Sequence, residues 1–315
     1  MAKYLFGIDV GGTTVKCGLF MENGELVEKW EIPTETSDKG VNIPTDIAET
    51  VLSKMAQKNI QNNDVLGIGM GVPGPVLADG TVGGCPNLGW TKINIVETMA
   101  ALTGLHVAAG NDANVAALGE FWKGGGKGCQ SAVFVTLGTG VGGGIIVDGK
   151  VIPGAFGCGG EIGHMVLDPD EPDACGCGCH GHVEQYASAT GVVRLAKKEF
   201  KTTAEDSVLR RIENLTARDV WEAAKSGDSL ALRVTDTFGK YLAQTLGIIA
   251  SVTDPEIFII GGGMAKAGEF LVDCVRKHYG KNLFAPLRDR KIVLAEFGND
   301  AGIYGAAKLL LSSIA

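Results

Sequence analysis

The chain has 315 residues, 45% apolar and 20% charged, so it is long enough for two lobes with a cleft between them and is neither disordered nor fibrous. Its net charge of −8 and its lack of dense runs of Lys and Arg argue against nucleic acid as a partner. It contains no run of about 18 apolar residues and no signal peptide, so we expect a cytoplasmic protein without a membrane partner.

The first third of the chain predicts a β-meander followed by alternating helices and strands. Strands are predicted over residues 4–9, 15–20 and 25–32, a helix over 43–60, a buried strand from Val65 to the PGP at 73–75, and a short helix near 95–103. The segment LHVAAG predicts another strand, and a helix to about Trp122 would begin around Asn111-Asp112. We expect the glycine-rich residues 124–128 to cross between the lobes.

The second part of the chain repeats this order of elements. SAVFVTL, the glycine-rich residues 138–144 and IIVDGK predict a strand, a turn and a strand. Helical patterns follow at 183–199, 216–226 and 229–252, then the strand IFIIGGG, a helix and a terminal helix from Ala301. Two β-rich starts, each followed by helices, favour a two-lobed α/β protein over one continuous doubly wound sheet.

Three glycine-rich segments follow predicted strands. The segment from Asp9 to Lys16 combines a strand-end carboxylate, which could hold Mg²⁺ through water, with a turn whose N–H groups could bind phosphate. By itself it could equally be an ordinary hairpin turn. The run Gly138–Gly144 contains G-x-G-x-x-G but leads into a strand, which disfavours a Rossmann site, and the chain has no Walker lysine motif. Together with Gly261-Gly262-Gly263, these segments predict one nucleotide site.

Three of the eight cysteines crowd into five residues. Cys175, Cys177 and Cys179 lie in one short loop with histidines nearby, whereas the other five cysteines are scattered singly. In a reducing compartment, such a cluster indicates a metal site before it indicates a disulfide. A reduced, metal-free loop is the alternative.

Seven segments, taken together, resemble the ROK family of repressors, open reading frames and kinases. They are DVGGTTVKCG, GVPGP, NDAN, LGTGVGGG, GGEIGH, CGCGCHGHVEQYAS and IIGGGM, in that order. Each is weakly specific alone, but together they span nearly the whole chain. The resemblance implies the two-lobed actin-like ATPase fold shared with hexokinases, with the active site between the lobes. It also implies a kinase that uses Mg²⁺ and ATP, most similar to the family's glucokinases.

The resemblance implies a role for individual residues. Asp112 would be the general base, although Asp112 or Asn111 could instead merely cap the following helix. The hexose would be held by Gly71, Asn87, Asn111, Asp112, Glu161, His164 and Glu184. ATP and Mg²⁺ would contact Asp9, Gly11, Gly12, Thr13, Thr14, Lys16, Gly138, Thr139, Gly140, Gly261, Gly262 and Gly263. We expect a small lobe of residues 1–112 plus 301–315, and a large lobe of residues 113–300 that carries the cysteine loop.

The resemblance also implies a structural Zn²⁺ held by His164, Cys175, Cys177 and His182. The chain departs from the family pattern here, because His182 stands where the last cysteine is usual and Cys179 is an extra cysteine in the loop. Cys179 or His180 is therefore the alternative candidate for the fourth zinc ligand.

Several alternatives stay open at this point. The acceptor could be another hexose, such as N-acetylglucosamine, N-acetylmannosamine, fructose or allose, and the donor could be polyphosphate or ADP. A sugar-responsive repressor is disfavoured by the acidic charge and by a chain that starts at its first phosphate loop. A non-catalytic sugar sensor would leave the phosphate loops and Asp112 without a purpose. The family resemblance implies a homodimer or homotetramer.

Overall fold

The computed structural model describes residues 3–314, and the first part of the chain forms a five-stranded sheet. Its strands are β1 (Tyr4–Val10), β2 (Thr14–Met21), β3 (Leu26–Pro33), β4 (Val65–Val72) and β7 (Val107–Asn111), in the order β3-β2-β1-β4-β7. The first three strands are antiparallel, whereas β4 and β7 run parallel to β1. A small separate sheet pairs β5 (Thr81–Val82) with β6 (Ile93–Asn94).

The second sheet repeats the topology of the first. Its strands are β8 (Ala132–Leu137), β9 (Val141–Val147), β10 (Lys150–Val151), β11 (Ile257–Gly261) and β12 (Lys291–Leu294), in the order β10-β9-β8-β11-β12. It too consists of a meander of three antiparallel strands followed by two parallel strands. The repeat of elements predicted from the sequence is therefore a repeat of sheet topology.

Nine α-helices cover the two sheets within the described residues. They are α1 (Ile43–Gln57), α2 (Ile95–Thr103), α3 (Asp112–Lys123), α4 (Glu184–Ala187), α5 (Ala189–Thr202), α6 (Ala217–Lys225), α7 (Ser229–Thr253), α8 (Glu269–Arg276) and α9 (Ala301–Ile314). Helices α1 and α2 share a hydrophobic core with the first sheet, and α4 to α8 share a larger one with the second. No helix within residues 3–314 is long and apolar enough to cross a membrane.

Helices α3 and α9 are exchanged between the two sheets. Helix α9 follows the second sheet but packs on β1, β4 and β7, whereas α3 follows the first sheet and packs mainly on β8 and β9, with further contacts to β4 and β7. The two helices cross at Gly119 and Gly305, where a Cβ on Gly305 would lie only 1.6 Å from the Val115 carbonyl oxygen. The fully buried Glu120 carboxylate accepts hydrogen bonds from the backbone N–H groups of Gly125, Glu296 and Phe297. The α3–α9 pair therefore connects the two sheets.

The residue ranges of the two lobes, 1–112 plus 301–315 and 113–300, stay a prediction, and the packing of α9 on the first sheet supports them. Residues 1, 2 and 315 of that division lie outside the described residues. Residues 124–128, expected to cross between lobes, connect α3 to β8.

Three predicted element boundaries are wrong. Helix α1 ends at Gln57 rather than near residue 60, because Asn59 takes a left-handed φ of 55°. The predicted helix 183–199 is broken at the extended Ser188, whose hydroxyl accepts a hydrogen bond from the Gly191 N–H and starts α5. Finally, only residues 138–140 of the second glycine run form the turn.

The remaining glycines of that run belong to strand β9. A Cβ on Gly144 would lie 2.4 Å from the Ala117 Cβ, and one on Gly142 would lie 3.3 Å from the Ala113 Cβ. These glycines therefore let α3 pack directly on β9, a structural role rather than phosphate binding.

Candidate active site

Three parallel strands of the first sheet bring predicted site residues together at their carboxyl ends. Asp9 on β1 pairs in register with Gly71 on β4, and Val72 pairs with Asn111 on β7. Asp112 follows as the first residue of α3. The register alone thus places Asp9, Gly71, Asn111 and Asp112 side by side at one edge of the sheet.

The first glycine turn, between β1 and β2, is braced by neighbouring backbone. The Gly11 N–H donates to the Thr14 carbonyl oxygen at 3.1 Å, and the Thr34 hydroxyl donates to the Gly11 carbonyl oxygen at 2.7 Å. Gly12 lies beside Asn87, so the structure places Asn87 against this turn. The Lys16 ammonium donates to the Asn299 carbonyl oxygen at 2.9 Å, which ties the turn to the start of α9.

The Asp9 carboxyl lies against the first turn of α9, where a Cβ on Gly302 would be 2.4 Å from the Asp9 Cγ. Burial, opposed by the Lys16 charge and reinforced by the Asp112 charge, raises the pKa of Asp9 from 3.8 to about 6. The folded protein thus holds this carboxylate ionised at neutral pH at a cost in stability. A cation at this position would remove that cost.

We expect Asp9→Asn to be more stable than the wild type in the absence of nucleotide and metal. Because the folded-state pKa of Asp9 is raised to about 6, its ionisation destabilises the fold progressively as pH rises from about 4 to 6. Removing the charge should increase the free energy of unfolding at pH 7 by about 1–3 kcal/mol.

Thermal and urea unfolding of both proteins at pH 7 and pH 4 would measure this difference, which should vanish at pH 4. A less stable Asp9→Asn at pH 7 would contradict the expectation. The same variant should lose most of its Mg-ATP-dependent turnover.

Asn111 and Asp112 form the start of α3. The Asn111 side-chain oxygen accepts hydrogen bonds from the N–H groups of Ala113 (3.0 Å) and Asn114 (3.2 Å), so Asn111 is the helix cap. Its amide donates to the Gly74 carbonyl oxygen at 3.2 Å. One Asp112 oxygen also accepts from the Ala113 N–H, at 2.8 Å. Burial, and to a lesser degree the Glu161 charge, raises the pKa of Asp112 above its usual value, as suits a general base.

The second and third glycine segments lie against each other on the second sheet. Gly261 pairs with Thr136 in the parallel β8–β11 register, and a Cβ on Gly262 would lie 2.5 Å from the Leu137 carbonyl oxygen. A cavity of about 680 Å³ opens beside them, a size that suits a nucleoside. Its lining residues include Gly138, Thr139, Thr216, Ala217, Trp221, Gly263, Met264 and Lys266.

The α6 residues Ala217 and Trp221 and the preceding Thr216 were not predicted for this cavity. Their sequence signals only a helix with a Thr216–Asp219 capping box, which is present.

The sequence also contains a repeat that the sequence analysis missed. Gly-Asn-Asp-Ala occurs at 110–113 and again at 298–301, at the starts of the two exchanged helices. It places Asp300 at the position in the second half that matches Asp112 in the first.

Four side chains of types that ligate metals meet beside the second sheet. One ligand atom from each of His164, Cys175, Cys177 and His182 lies within 4.8 Å of the others. Among residues 3–314, this group includes neither Cys179 nor His180, and the His180 Nδ1 instead lies 3.1 Å from the Glu171 carbonyl oxygen. Two sulfurs and two imidazole nitrogens are a donor set typical of structural Zn²⁺, so the residues fit this metal.

Three predicted sugar ligands, Glu161, His164 and Glu184, lie in or next to the metal group. The Glu161 carboxylate lies 4.0 Å from the His164 Nε2, while the Nδ1 of the same ring lies 3.2 Å from the His182 Nδ1 within the metal group. Glu184 instead accepts a hydrogen bond from the Val141 N–H at 3.0 Å, just after the second glycine turn. His164 could therefore face a sugar and a metal at once, and Glu184 lies between the second glycine turn and Cys175 of the metal group.

The sequence model of the ROK family matches residues 5–313. The chain belongs to this family. The "Glucokinase" of Halalkalibacterium halodurans is 38% identical over 313 residues, covering 98% of this chain and 95% of the relative. The N-acetylgalactosamine kinase of Shewanella sp. (strain ANA-3) is 31% identical over 315 residues, with 96% of each chain covered.

A solved structure shares both the ROK sequence pattern and the fold. The ROK family glucokinase from Streptomyces griseus, in complex with glucose and AMPPNP, is 32% identical, with a TM-score of 0.76 and coverage of 97% of this chain and 98% of that one. The family predicted from seven short segments is therefore confirmed. The predicted two-lobed actin-like ATPase fold is confirmed by the same likeness and by the two repeated sheets.

Proposed function

We propose that the chain is an ATP-dependent glucokinase, which transfers the terminal phosphoryl group of ATP to the hydroxymethyl oxygen of glucose. The observation that carries this proposal is the position of Asp112. Asp112 is a partly buried carboxylate beside Asp9 and Glu161, and its pKa is raised. It begins α3, which packs on β9, the strand that follows the second glycine turn. The likeness to kinases named for glucose supports glucose as the acceptor.

In the proposed reaction, Asp112 accepts the proton of the sugar hydroxyl. The sugar oxygen attacks the terminal phosphorus, and the bond from that phosphorus to the bridging oxygen breaks to release ADP. The N–H groups of the glycine turns, with Lys16 and Thr139, would hold the phosphates in line. Mg²⁺, when bound with ATP, would neutralise the charge on the phosphates, and Asp9 would hold it through water.

We further propose that His164, Cys175, Cys177 and His182 hold a structural Zn²⁺. With its Nδ1 toward the metal, His164 would present Nε2 to a sugar hydroxyl beside Glu161. Asn111 and the backbone at Gly71 lie at the same strand ends and would complete the sugar site. Zinc would thus fix the orientation of a sugar ligand and take no part in the chemistry.

The proposal is tested by ADP release from the purified protein with Mg-ATP. The acceptors are glucose, N-acetylglucosamine, N-acetylmannosamine, N-acetylgalactosamine, mannose, fructose and allose, with a control that contains no sugar. We expect the largest kcat/KM with glucose. Equal ADP release with and without every sugar would contradict kinase activity, and parallel assays with ADP or polyphosphate would test the donor.

A kinase for another hexose is the second candidate. The 31% identity to an N-acetylgalactosamine kinase over the full chain favours keeping it, because a few hydrogen bonds decide between similar sugars. In that case the reaction and Asp112 would be unchanged, and only the preferred acceptor in the panel would differ. A cytoplasmic location and assembly into a homodimer or homotetramer stay predictions.

A further inference from the structure

The segment that follows the metal-binding His182 contacts the second glycine turn three times. The Glu184 Oε2 accepts the Val141 N–H at 3.0 Å, the Ala189 N–H donates to the Gly138 carbonyl oxygen at 2.8 Å, and the Thr190 hydroxyl donates to the Thr139 carbonyl oxygen at 2.9 Å. All three contacts come from residues 184–190, which begin two positions after His182. The conformation of this turn therefore depends on where α4 lies.

Glu184 also contacts the metal group directly. The protonated Cys175 thiol donates to the Glu184 Oε1 at 3.6 Å, while the other oxygen of the same carboxylate holds the Val141 N–H. A metal-bound Cys175 would be a thiolate without this proton, so metal loading would change the contact with Glu184 directly. The carboxylate is packed so closely against the turn that a Cβ on Gly140 would lie 2.2 Å from its Oε2. A shift of Glu184 must therefore move the turn or break its bond to Val141.

The position of α4 is set from the other side by the metal group. His182 is buried, and its Nδ1 lies 3.4 Å from the Cys177 Sγ and 3.2 Å from the His164 Nδ1. A metal bound by Cys175 and His182 would fix two neighbours of Glu184: the cysteine that contacts it and the histidine two positions before it in the chain. Without that link, the start of α4 keeps the hydrogen bond from the Val183 N–H to the Met165 carbonyl oxygen but is no longer tied to the exposed loop at 176–180.

We infer that metal loading of the His/Cys group and nucleotide binding at the second glycine turn are thermodynamically coupled, with Glu184 as the positioning residue that links them. This inference rests on the proposed function, because it takes the turn at 138–140 as part of a nucleotide site. Coupling between two sites is reciprocal. The metal strengthens nucleotide binding, and bound nucleotide slows the loss of metal.

The test measures the Kd of MgADP by calorimetry without sugar, in zinc-loaded and chelator-treated wild type. We expect about tenfold weaker MgADP binding after zinc removal, within the range usual for coupled sites. Zinc release to a chromophoric chelator should slow by a similar factor in saturating MgADP. Equal Kd values in the two forms, or a release rate that MgADP leaves unchanged, would overturn the coupling.

Two variants of Glu184 test its part in the link. Glu184→Ala should bind MgADP weakly whether or not zinc is loaded, whereas Glu184→Gln, which keeps an oxygen acceptor for the Val141 N–H, should retain most of the coupling. Glu161→Ala removes a carboxylate on the sugar side and should keep the tenfold difference. Full coupling in a folded Glu184→Ala would exclude Glu184.

If Glu184→Ala does not fold, the Gln variant and the zinc-release rates of the wild type still decide the question. Failure of the proposed function would look different from failure of the coupling. If the proposed function is wrong, zinc-loaded wild type binds no MgADP at all. If only the coupling is wrong, the protein binds MgADP equally tightly with and without zinc.

Discussion

Replacing Asp112 with Asn is expected to lower kcat for glucose phosphorylation by about 10²- to 10⁴-fold, the usual contribution of a positioned general base. The amide cannot accept the proton of the attacking hydroxyl. It keeps an oxygen for the Ala113 N–H, which Asp112 contacts at 2.8 Å, and Asn111 continues to cap α3. Folding, zinc content and the KM for ATP should therefore stay close to wild type. Steady-state kinetics with a coupled ADP assay would measure the effect.

The matched control for this variant is Asp300→Asn. Asp300 occupies the same place in the repeated Gly-Asn-Asp-Ala sequence at the start of α9, and its carboxylate pairs with the exposed Lys29 at 2.6 Å. An exposed ion pair contributes little to stability, so we expect kcat within about twofold of wild type. Near-normal turnover in Asp112→Asn would remove Asp112 from the mechanism.

Replacing His182 with Ala is expected to reduce bound zinc from about one ion per chain to nearly none. A metal bound at a thousandfold excess over its Kd stabilises the folded protein by about 4 kcal/mol, which corresponds to about 8–16 °C in Tm for a lobe of this size. Metal analysis of protein purified without chelator, and calorimetric or fluorescence melting curves, would measure both quantities.

Cys179→Ala provides the control on the same loop. Cys179 lies outside the four-residue group and is exposed, so this variant should keep its zinc and its Tm within about 1–2 °C of wild type, as usual for surface substitutions. Loss of zinc in Cys179→Ala with retention in His182→Ala would reverse the assignment of the fourth ligand. Wild-type protein without zinc would contradict the site altogether.

The sequence marks the local parts of this candidate site. Local backbone geometry requires the residue types found at Asp9, in the first glycine turn and at Asn111 at the end of β7. Metal chemistry requires the residue types of the four side chains in the metal group. The resemblance supplied the ligand set at His164 and His182, and the structure brings these four side chains together. Their binding of zinc stays a prediction.

What the sequence could not predict are contacts that depend on packing between distant segments. An apolar helix pattern does not say which sheet the helix covers, so the expected placement of residues 301–315 with the first lobe, and of the helix after Asp112 with the second, does not follow from the helix pattern itself. The bond from the Val141 N–H to Glu184 joins residues 43 positions apart, so no local pattern marks it, and the assignment of Glu184 to the sugar stays a prediction. Trp221 and Thr216 line the cavity beside the glycine segments only because α6 packs next to the third of them.

The exchange of α3 and α9 has a consequence for how the chain is made. On the ribosome, the strands of the first sheet emerge early, but the helix that covers β1, β4 and β7 begins at residue 301, which is 190 residues after β7 ends at residue 111. At about 5–20 residues per second, that apolar sheet face waits roughly 10–40 s for its own covering helix. The nascent first lobe is therefore the part of the molecule that most needs a chaperone, and deletion of the last fourteen or so residues should harm the lobe made first.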